Sequence, residues 1–248
     1  MAILWQRQVL GRTYEVRSAG NTRRLYTDGV FHSQYNPGHP VTGSIWDLLL
    51  LPAFFYPKGS IRRILVLGVG GGAVIRQFQY FLKPEKITGI ELNPNHIYVA
   101  RHYFDVTQSN TSLIQADAIK WVYNYKGALF DLVIDDLFGE QDGEPVRAIE
   151  SNPKWMRALS KLLTKEGGLV TNFVSSRELK RCGYFKDRMI KGYFKSAFKL
   201  SAPAYENAIG VFLKTSSSIQ ILKSNLVKTP KLNPTLKSCR LKYNVQRL

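Results

Sequence analysis

The sequence predicts an α/β fold with a doubly wound, mainly parallel sheet, and three observations support this prediction. From Ile61 onward, strand-like and helix-like patterns alternate along the chain. The first strand-like run ends in a glycine cluster at residues 68–72, where a helical pattern begins. The chain has 248 residues, 44% of them hydrophobic, which is enough to build the core of one large domain. Sheets of this kind bind ligands at the carboxyl ends of their strands.

The alternating patterns predict five strands and five helices. Strands are predicted at 62–67, 87–91, 111–114, 130–135 and 168–174. Helices are predicted at 73–82, 95–103, 117–124, 153–163 and 177–190. Two later strand-like runs, Tyr193–Leu200 and Asn207–Lys214, predict an antiparallel hairpin at one edge of the sheet.

Upstream of this region, short alternating runs separated by turn residues predict a small antiparallel β element. Its strands are Arg12–Arg17, Arg23–Thr27 and Val30–Tyr35. Residues Ser44–Phe55 predict a helix with Ser44 as its N-cap and a break near Pro52. We therefore divide the chain into an N-terminal β-hairpin element (1–43), a main α/β domain (44–214) and a C-terminal tail (215–248).

The net charge of +17 is concentrated in the last third of the chain. Residues 1–176 carry 19 basic and 15 acidic side chains, whereas residues 177–248 carry 16 and 3. A basic tail can bind nucleic acid or an anionic membrane surface. Because the tail shows no amphipathic pattern and no aromatic ladder, a solvated, partly disordered tail is the favoured interpretation.

The apolar segments and the cysteine spacing bear on cellular location and metal binding. The N-terminus lacks the layout of a signal peptide, and no apolar run is long enough to span a bilayer, so we expect a cytoplasmic protein without a membrane partner. The cysteines, Cys182 and Cys239, have no metal-ligand spacing. We therefore expect reduced thiols and no metal site.

The glycine cluster is the first candidate site. Gly68, Gly70, Gly71 and Gly72 follow a β-branched strand and precede a helix, an arrangement that places backbone N–H groups beside a bound nucleotide. Glycine-rich turns also occur for tight packing alone. Glu91 ends the next strand about 20 residues later, a spacing at which a carboxylate accepts hydrogen bonds from a ribose diol.

Two further strand ends carry carboxylates. Asp117, followed by Ala118, fits either a contact to an adenine amino group or the N-cap of the following helix. Asp135 and Asp136 are consecutive at the end of the fourth strand, so at least one of them should face the ligand crevice.

An acidic loop follows, with Glu140, Asp142 and Glu144. Together with Asp135 and Asp136, this places five carboxylates within ten residues of an otherwise basic protein. Such a concentration attracts a cationic substrate, and a solvated loop is the equally weighted alternative.

This order of motifs resembles the spermidine synthase family, which has the Rossmann-like fold of the class I S-adenosylmethionine methyltransferases. The resemblance covers about residues 20–214 and rests on the glycine turn, Glu91, Ala116-Asp117-Ala118, the Asp135-Asp136 strand end, and two tracts. These tracts are Leu25–Gly29 and Leu162–Asn172. The resemblance implies that Glu91 binds the ribose, Asp117 with Ala118 the adenine, and the glycine turn the methionine-derived part of the cofactor. We also name Asp135 as a cofactor-binding residue.

The resemblance also implies where the catalytic base lies. The family usually has Asp-Ser-x-Asp-Pro after the fourth strand, whereas this chain has Asp136-Leu137-Phe138-Gly139. Glycine thus occupies the position of the second carboxylate, for which Glu140 and Asp142 are the alternative substitutes. We name Asp136, Asp135 and Glu140 as the candidate catalytic residues. His32 stands where the family commonly has glutamine, and the family's Asp-Glu-x-x-Tyr pattern upstream is absent.

The function predicted from this pattern is transfer of an aminopropyl group from decarboxylated S-adenosylmethionine to a small-molecule amine such as putrescine. Two alternatives stay open: a methyltransferase that uses S-adenosylmethionine itself, and a non-catalytic nucleoside-binding relative. The strand edges of the N-terminal element favour a homodimer.

Overall fold

A computed structural model describes residues 1–141 and 144–248. The chain begins with a four-stranded antiparallel sheet in which each strand pairs with the next. Its strands are β1 (Ala2–Val9), β2 (Arg12–Ala19), β3 (Thr22–Thr27) and β4 (Val30–Tyr35). The last three confirm the predicted N-terminal element. The sequence analysis missed β1, because seven of its eight side chains are exposed and no inward-facing pattern marks it.

All remaining strands of the described residues are β5 (Arg63–Leu67), β6 (Lys86–Glu91), β7 (Thr111–Gln115), β8 (Phe130–Asp135), β9 (Phe138–Gln141), β10 (Glu144–Arg147), β11 (Leu163–Phe173), β12 (Ser196–Ser201), β13 (Ala208–Leu213) and β14 (Asn244–Arg247). Eight of them form the main sheet, in the order β14-β12-β13-β11-β8-β5-β6-β7. The five neighbouring strands β11, β8, β5, β6 and β7 are parallel. The predicted doubly wound α/β fold is confirmed. Strands β9 and β10 form a separate antiparallel pair.

The helices of the described residues are α1 (Ile45–Leu50), α2 (Ala73–Phe81), α3 (Pro94–Tyr103), α4 (Ala118–Asn124), α5 (Pro153–Lys161), α6 (Ser176–Leu179), α7 (Gly183–Lys186), α8 (Arg188–Gly192) and α9 (Ile219–Val227). Two 3₁₀ turns span Leu51–Phe55 and Pro230–Leu232. The predicted N-cap of α1 has no side-chain capping bond, because the Ser44 hydroxyl instead lies 2.7 Å from that of Thr42.

The prediction of one continuous helix over 177–190 is wrong. The N–H group of Gly183 donates to the Ser151 carbonyl at 2.7 Å rather than continuing the helix from α6. Asp187 then starts α8 by accepting from the N–H groups of Met189 and Ile190. Both changes redirect the chain, so the segment consists of three short helices.

The predicted hairpin is confirmed as the antiparallel pair β12 and β13, but β14 lies outside it and forms the edge of the sheet. The core lies on both faces of the sheet. Along β5, Ile64 and Val66 belong to one apolar cluster, and Leu65 and Leu67 to the other. This alternation is the two-residue period of a strand buried on both sides.

The prediction of a solvated tail is wrong. Helix α9 buries Leu222 and Leu226 in the core, and Leu232 and Leu241 are buried farther along the chain. Asn225 donates from Nδ2 to the carbonyls of Phe54 and Tyr56 at 2.9 and 3.1 Å. Residues 215–248 therefore complete the core next to the 3₁₀ turn of residues 51–55. The division of the chain at residues 43 and 214 stays a prediction.

No helix in the ranges 1–141 and 144–248 is both long and apolar enough to cross a membrane.

The packing of α9 predicts different costs for two substitutions in the same helix. Leu226 is fully buried, so Leu226→Ala should lower the free energy of unfolding by about 2–5 kcal/mol. Ile221 is 42% exposed, so Ile221→Ala should change it by about 0.5 kcal/mol or less. Urea denaturation of both variants measures the difference, and equal, small effects would contradict the packing of α9.

Candidate active site

A cavity of about 480 Å³ opens at the carboxyl ends of the parallel strands. One side is formed by β4 and α1, and the other by the glycine turn and the ends of β6, β8 and β11. This volume lies within the range of small-molecule sites, about 300–1,000 Å³. The cavity brings together the polar groups that follow these separate strands.

The glycine turn lies at the cavity wall, with two of its four glycines facing the cavity. Gly68 has φ +82°, and a Cβ there would lie 2.2 Å from the carbonyl oxygen of Asp136, so only glycine fits. Gly70 also lines the cavity, with φ +53°. Gly71 and Gly72 do not line it: Gly71 packs against Phe104, and Gly72 against Val106.

Glu91 ties the glycine turn to the end of β6. Its Oε2 accepts hydrogen bonds from the N–H groups of Val69 and Gly70, both at 2.9 Å, and Oε1 accepts from Asn93 N–H at 2.9 Å. Burial alone would raise the pKa of Glu91, but His96 and the Asn93 and Gly70 N–H groups lower it below its ordinary value. Glu91 is therefore an anion that fixes the shape of the turn and lines the cavity.

Two histidines, which the sequence analysis did not group, lie beside Glu91. His96 Nδ1 is 3.6 Å from Glu91 Oε1, and its Nε2 is 3.0 Å from the Thr27 hydroxyl of β3. The rings of His32 and His96 are 4.9 Å apart. Burial and the neighbouring His96 lower the pKa of His32 to about 4, so its ring is neutral at pH 7. The signal for His96 was its position in the first turn of the helix that follows β6.

Asp117 caps α4 and also lines the cavity. Its Oδ1 accepts from the N–H groups of Ile119 and Lys120 at 2.9 and 3.1 Å. Both capping bonds use the same oxygen, so Oδ2 is not needed for the cap. Ala118 follows in the cavity wall.

The two consecutive aspartates at the end of β8 have different surroundings. Asp135 is fully buried, and its Oδ2 accepts from Arg147 at 2.7 Å and from the Trp155 indole at 3.1 Å. Asp136 instead lines the cavity. The expectation that at least one of the pair faces the crevice is thus confirmed for Asp136, whereas Asp135 lies in the core.

A chain of amides holds Asp136. Asn172, at the end of β11, donates to Asp136 Oδ1 at 2.8 Å, and Asn207 donates to Asn172 Oδ1 at 3.0 Å. Burial raises the pKa of Asp136 to about 6, although the Asn172 hydrogen bond and the Arg147 charge act in the opposite direction. Asp136 is therefore deprotonated at pH 7 and able to accept a proton just below it.

The rest of the cavity near Asp136 is largely aromatic and apolar. It includes Phe31, Trp46 and Tyr205, and the rings of Phe31 and Trp46 meet edge to face at 5.2 Å. None of these residues was named from the sequence. Asn172, in contrast, could have been found by the same reasoning as Glu91 and Asp136, because it is a polar residue at a strand end.

The acidic loop can be placed only in part. Gly139 and Pro145, on either side of the loop, line the cavity. The backbone of Glu140 belongs to β9 and that of Glu144 to β10. Asp142 lies outside the described residues, and so do the side chains of Glu140 and Glu144.

Known proteins are similar to this chain over most of its length. The profile of the spermine/spermidine synthase domain matches residues 47–224. The polyamine aminopropyltransferase of Neisseria meningitidis serogroup A is 22% identical over 222 residues, covering 88% of this chain and 82% of the relative. A probable spermidine synthase from Corynebacterium glutamicum superposes with a TM-score of 0.76 at 17% identity, covering 100% of this chain and 91% of that one. Human methyltransferase-like protein 13, in complex with SAH, has the same fold (TM-score 0.62, 16% identity, 77% and 93% covered).

Two arginine–aspartate ion pairs, one buried and one partly exposed, should contribute unequally to the free energy of unfolding. Arg147 pairs with Asp135 in the core, so Arg147→Met should leave a buried carboxylate without its cation and cost about 3–5 kcal/mol of unfolding free energy. Arg157 pairs with Asp187 at 3.3 Å with its side chain 41% exposed, so Arg157→Met should cost about 1 kcal/mol or less. Urea denaturation measures both. A similar loss in the two variants would argue against a buried Asp135–Arg147 pair.

Proposed function

We propose that this chain, which belongs to the spermine/spermidine synthase family, transfers an aminopropyl group from decarboxylated S-adenosylmethionine to an amine. The observation that carries the proposal is Asp136: a carboxylate with a raised pKa that shares one cavity with Glu91 and Asp117. A nucleoside site and a base for an amine nucleophile are the two parts that this reaction needs.

The residues present fit the nucleoside part of such a ligand. Asp117 Oδ2, which the helix cap does not use, is the proposed acceptor for the adenine amino group, beside Ala118. Glu91 is the proposed ribose residue, and it also holds the turn at the cavity wall by accepting from the N–H groups of Val69 and Gly70. Because three of the acceptor positions of Glu91 are taken by N–H groups, sugar hydroxyls would share this carboxylate with the turn.

The bound donor supplies a carbon activated by an adjacent sulfonium. The acceptor nitrogen attacks only after it has lost a proton, and Asp136 is the group that takes this proton. Asn172 and Asn207 orient the carboxylate, which lowers the cost of placing the base at the nitrogen. Asp135, neutralised by Arg147, acts from the core as a structural partner of this strand end. Glu140 remains the proposed second carboxylate.

The direct experiment is incubation with putrescine and decarboxylated S-adenosylmethionine, with products followed by mass spectrometry. We expect an aminopropylated amine and methylthioadenosine. A methylated product from intact S-adenosylmethionine would favour the methyltransferase alternative. Binding of the nucleoside without any product would favour a non-catalytic relative. A small-molecule amine partner, a homodimer and a cytoplasmic location belong to the same proposal.

Removal of the Glu91 carboxylate should weaken nucleoside binding. Charge-assisted hydrogen bonds contribute about 1.5–3 kcal/mol, so Glu91→Ala should weaken binding of methylthioadenosine by about tenfold or more. Calorimetry measures the affinity. Glu85→Ala, an exposed carboxylate near the start of β6, is the matched control and should bind as the wild type does. Unchanged affinity in Glu91→Ala would refute the ribose assignment.

Asp136 should set the acidic limb of the pH profile. Because the base must be deprotonated, kcat/KM should fall below pH 6, by about tenfold for each further pH unit. Asp136→Asn should lower kcat by about 10²-fold or more and remove this break. The titration of the amine substrate itself contributes equally to both proteins, so their difference isolates Asp136. A break near pH 6 that persists in Asp136→Asn would contradict its role as the base.

A further inference from the structure

The helical segment of residues 177–195 carries an unusual density of exposed positive charge. Seven cations fall within these 19 residues, and all seven side chains are exposed: Arg177, Lys180, Arg181, Lys186, Arg188, Lys191 and Lys195. We call residues 177–195 the basic segment. Residues 215–248 spread the same number of cations over 34 residues.

The two carboxylates of the basic segment are engaged elsewhere. Glu178 accepts from Val174 N–H at 2.8 Å and lies 3.8 Å from the buried Arg147. Asp187 caps α8 and pairs with Arg157. Within the described ranges, none of the seven cations lies within 4.0 Å of a carboxylate. The positive charge of the segment therefore faces solvent uncompensated.

Six of these seven cations line two surface grooves. One, of about 610 Å³, is lined by Arg188, Lys191 and Lys195 together with Arg247 and the last residue, Leu248. The other, of about 560 Å³, is lined by Arg177, Arg181 and Lys186, with the carboxylates of Glu150 and Glu178 at its wall. Among the described residues, the first groove is lined by no aspartate or glutamate side chain.

Exposed apolar side chains lie among the cations. Phe185 is 43% exposed, Met189 60% and Tyr193 36%. Lys191 Nζ lies 5.7 Å from the centroid of the Tyr184 ring. Cations that neutralise phosphates, interleaved with accessible aromatic rings on which bases stack, are the combination that binds single strands.

We propose that the basic segment binds single-stranded nucleic acid. Arg188, Lys191, Lys195 and Arg247 contact successive phosphates along the first groove, and Phe185 and Tyr193 offer faces to unpaired bases. Binding at this surface is independent of catalysis in the cavity. It also differs from the sequence-based hypothesis, which placed nucleic-acid binding in residues 215–248.

Fluorescence anisotropy with a labelled 12-nucleotide single-stranded oligonucleotide tests this proposal. The triple variant Arg188→Glu/Lys191→Glu/Lys195→Glu should bind at least tenfold more weakly than the wild type. The control Lys223→Glu/Lys228→Glu/Lys237→Glu changes the net charge equally at exposed sites, and its affinity should change less than twofold. The slope of log K against log [salt] is about −0.7 for each phosphate contact with a single strand. This slope should become less negative in the triple variant of the basic segment and stay unchanged in the control.

Equal losses in the two triple variants would overturn the proposal, because they would show attraction by net charge alone. Absence of binding at 50 mM salt would also overturn it. So would tighter binding of phosphatidylserine vesicles than of the oligonucleotide under the same conditions, since that result assigns the surface to a lipid. Lysine acetylation of the wild type tests the same surface without a variant: the oligonucleotide should protect Lys191 and Lys195 and leave Lys223, Lys228 and Lys237 reactive.

Discussion

The site depends on the different surroundings of two consecutive residues: Asp135 lies in the core, and Asp136 lines the cavity. A strand buried on both sides sends consecutive side chains in opposite directions, so the two carboxylates cannot share one environment. The buried guanidinium of Arg147 and the Trp155 indole donate to the Asp135 carboxylate and so offset the cost of burying its charge. With Asp135 compensated in the core, the next residue can present its carboxylate to the cavity, where burial raises its pKa to about 6.

The same strand end explains the shape of the glycine turn. The Asp136 N–H group donates to the Leu67 carbonyl, and the Asp136 carbonyl lies where a Cβ of residue 68 would stand. Glu91 then holds the other side of the turn through Val69 and Gly70. The nucleoside half and the catalytic half of the proposed site are therefore built on one contact region, in which a glycine is needed for a backbone–backbone approach.

The sequence predicted the parallel sheet, the glycine turn and the polar strand ends, because strand period, glycine positions and spacing are local signals. It did not predict how far the cavity is closed by β4 and α1, since Trp46 and His32 reach the site only through long-range packing. The integration of α9 was missed for a related reason. Its apolar residues do not mark a single face, because Leu222 and Leu226 are buried whereas Ile221 and Val227 are exposed, and the burial depends on the distant residues 51–55. Gly71 and Gly72 show that a motif can combine two uses, since they pack the turn while Gly68 and Gly70 line the cavity.

This cavity is proposed to bind a decarboxylated donor beside a carboxylate base. Three carboxylates, Glu91, Asp117 and Asp136, line the cavity, so the additional carboxylate of intact S-adenosylmethionine should be repelled. Calorimetric titration of the wild-type protein with the two ligands at one pH and salt concentration tests this directly. We expect decarboxylated S-adenosylmethionine to bind more tightly, and tighter binding of the intact form would contradict the proposed donor.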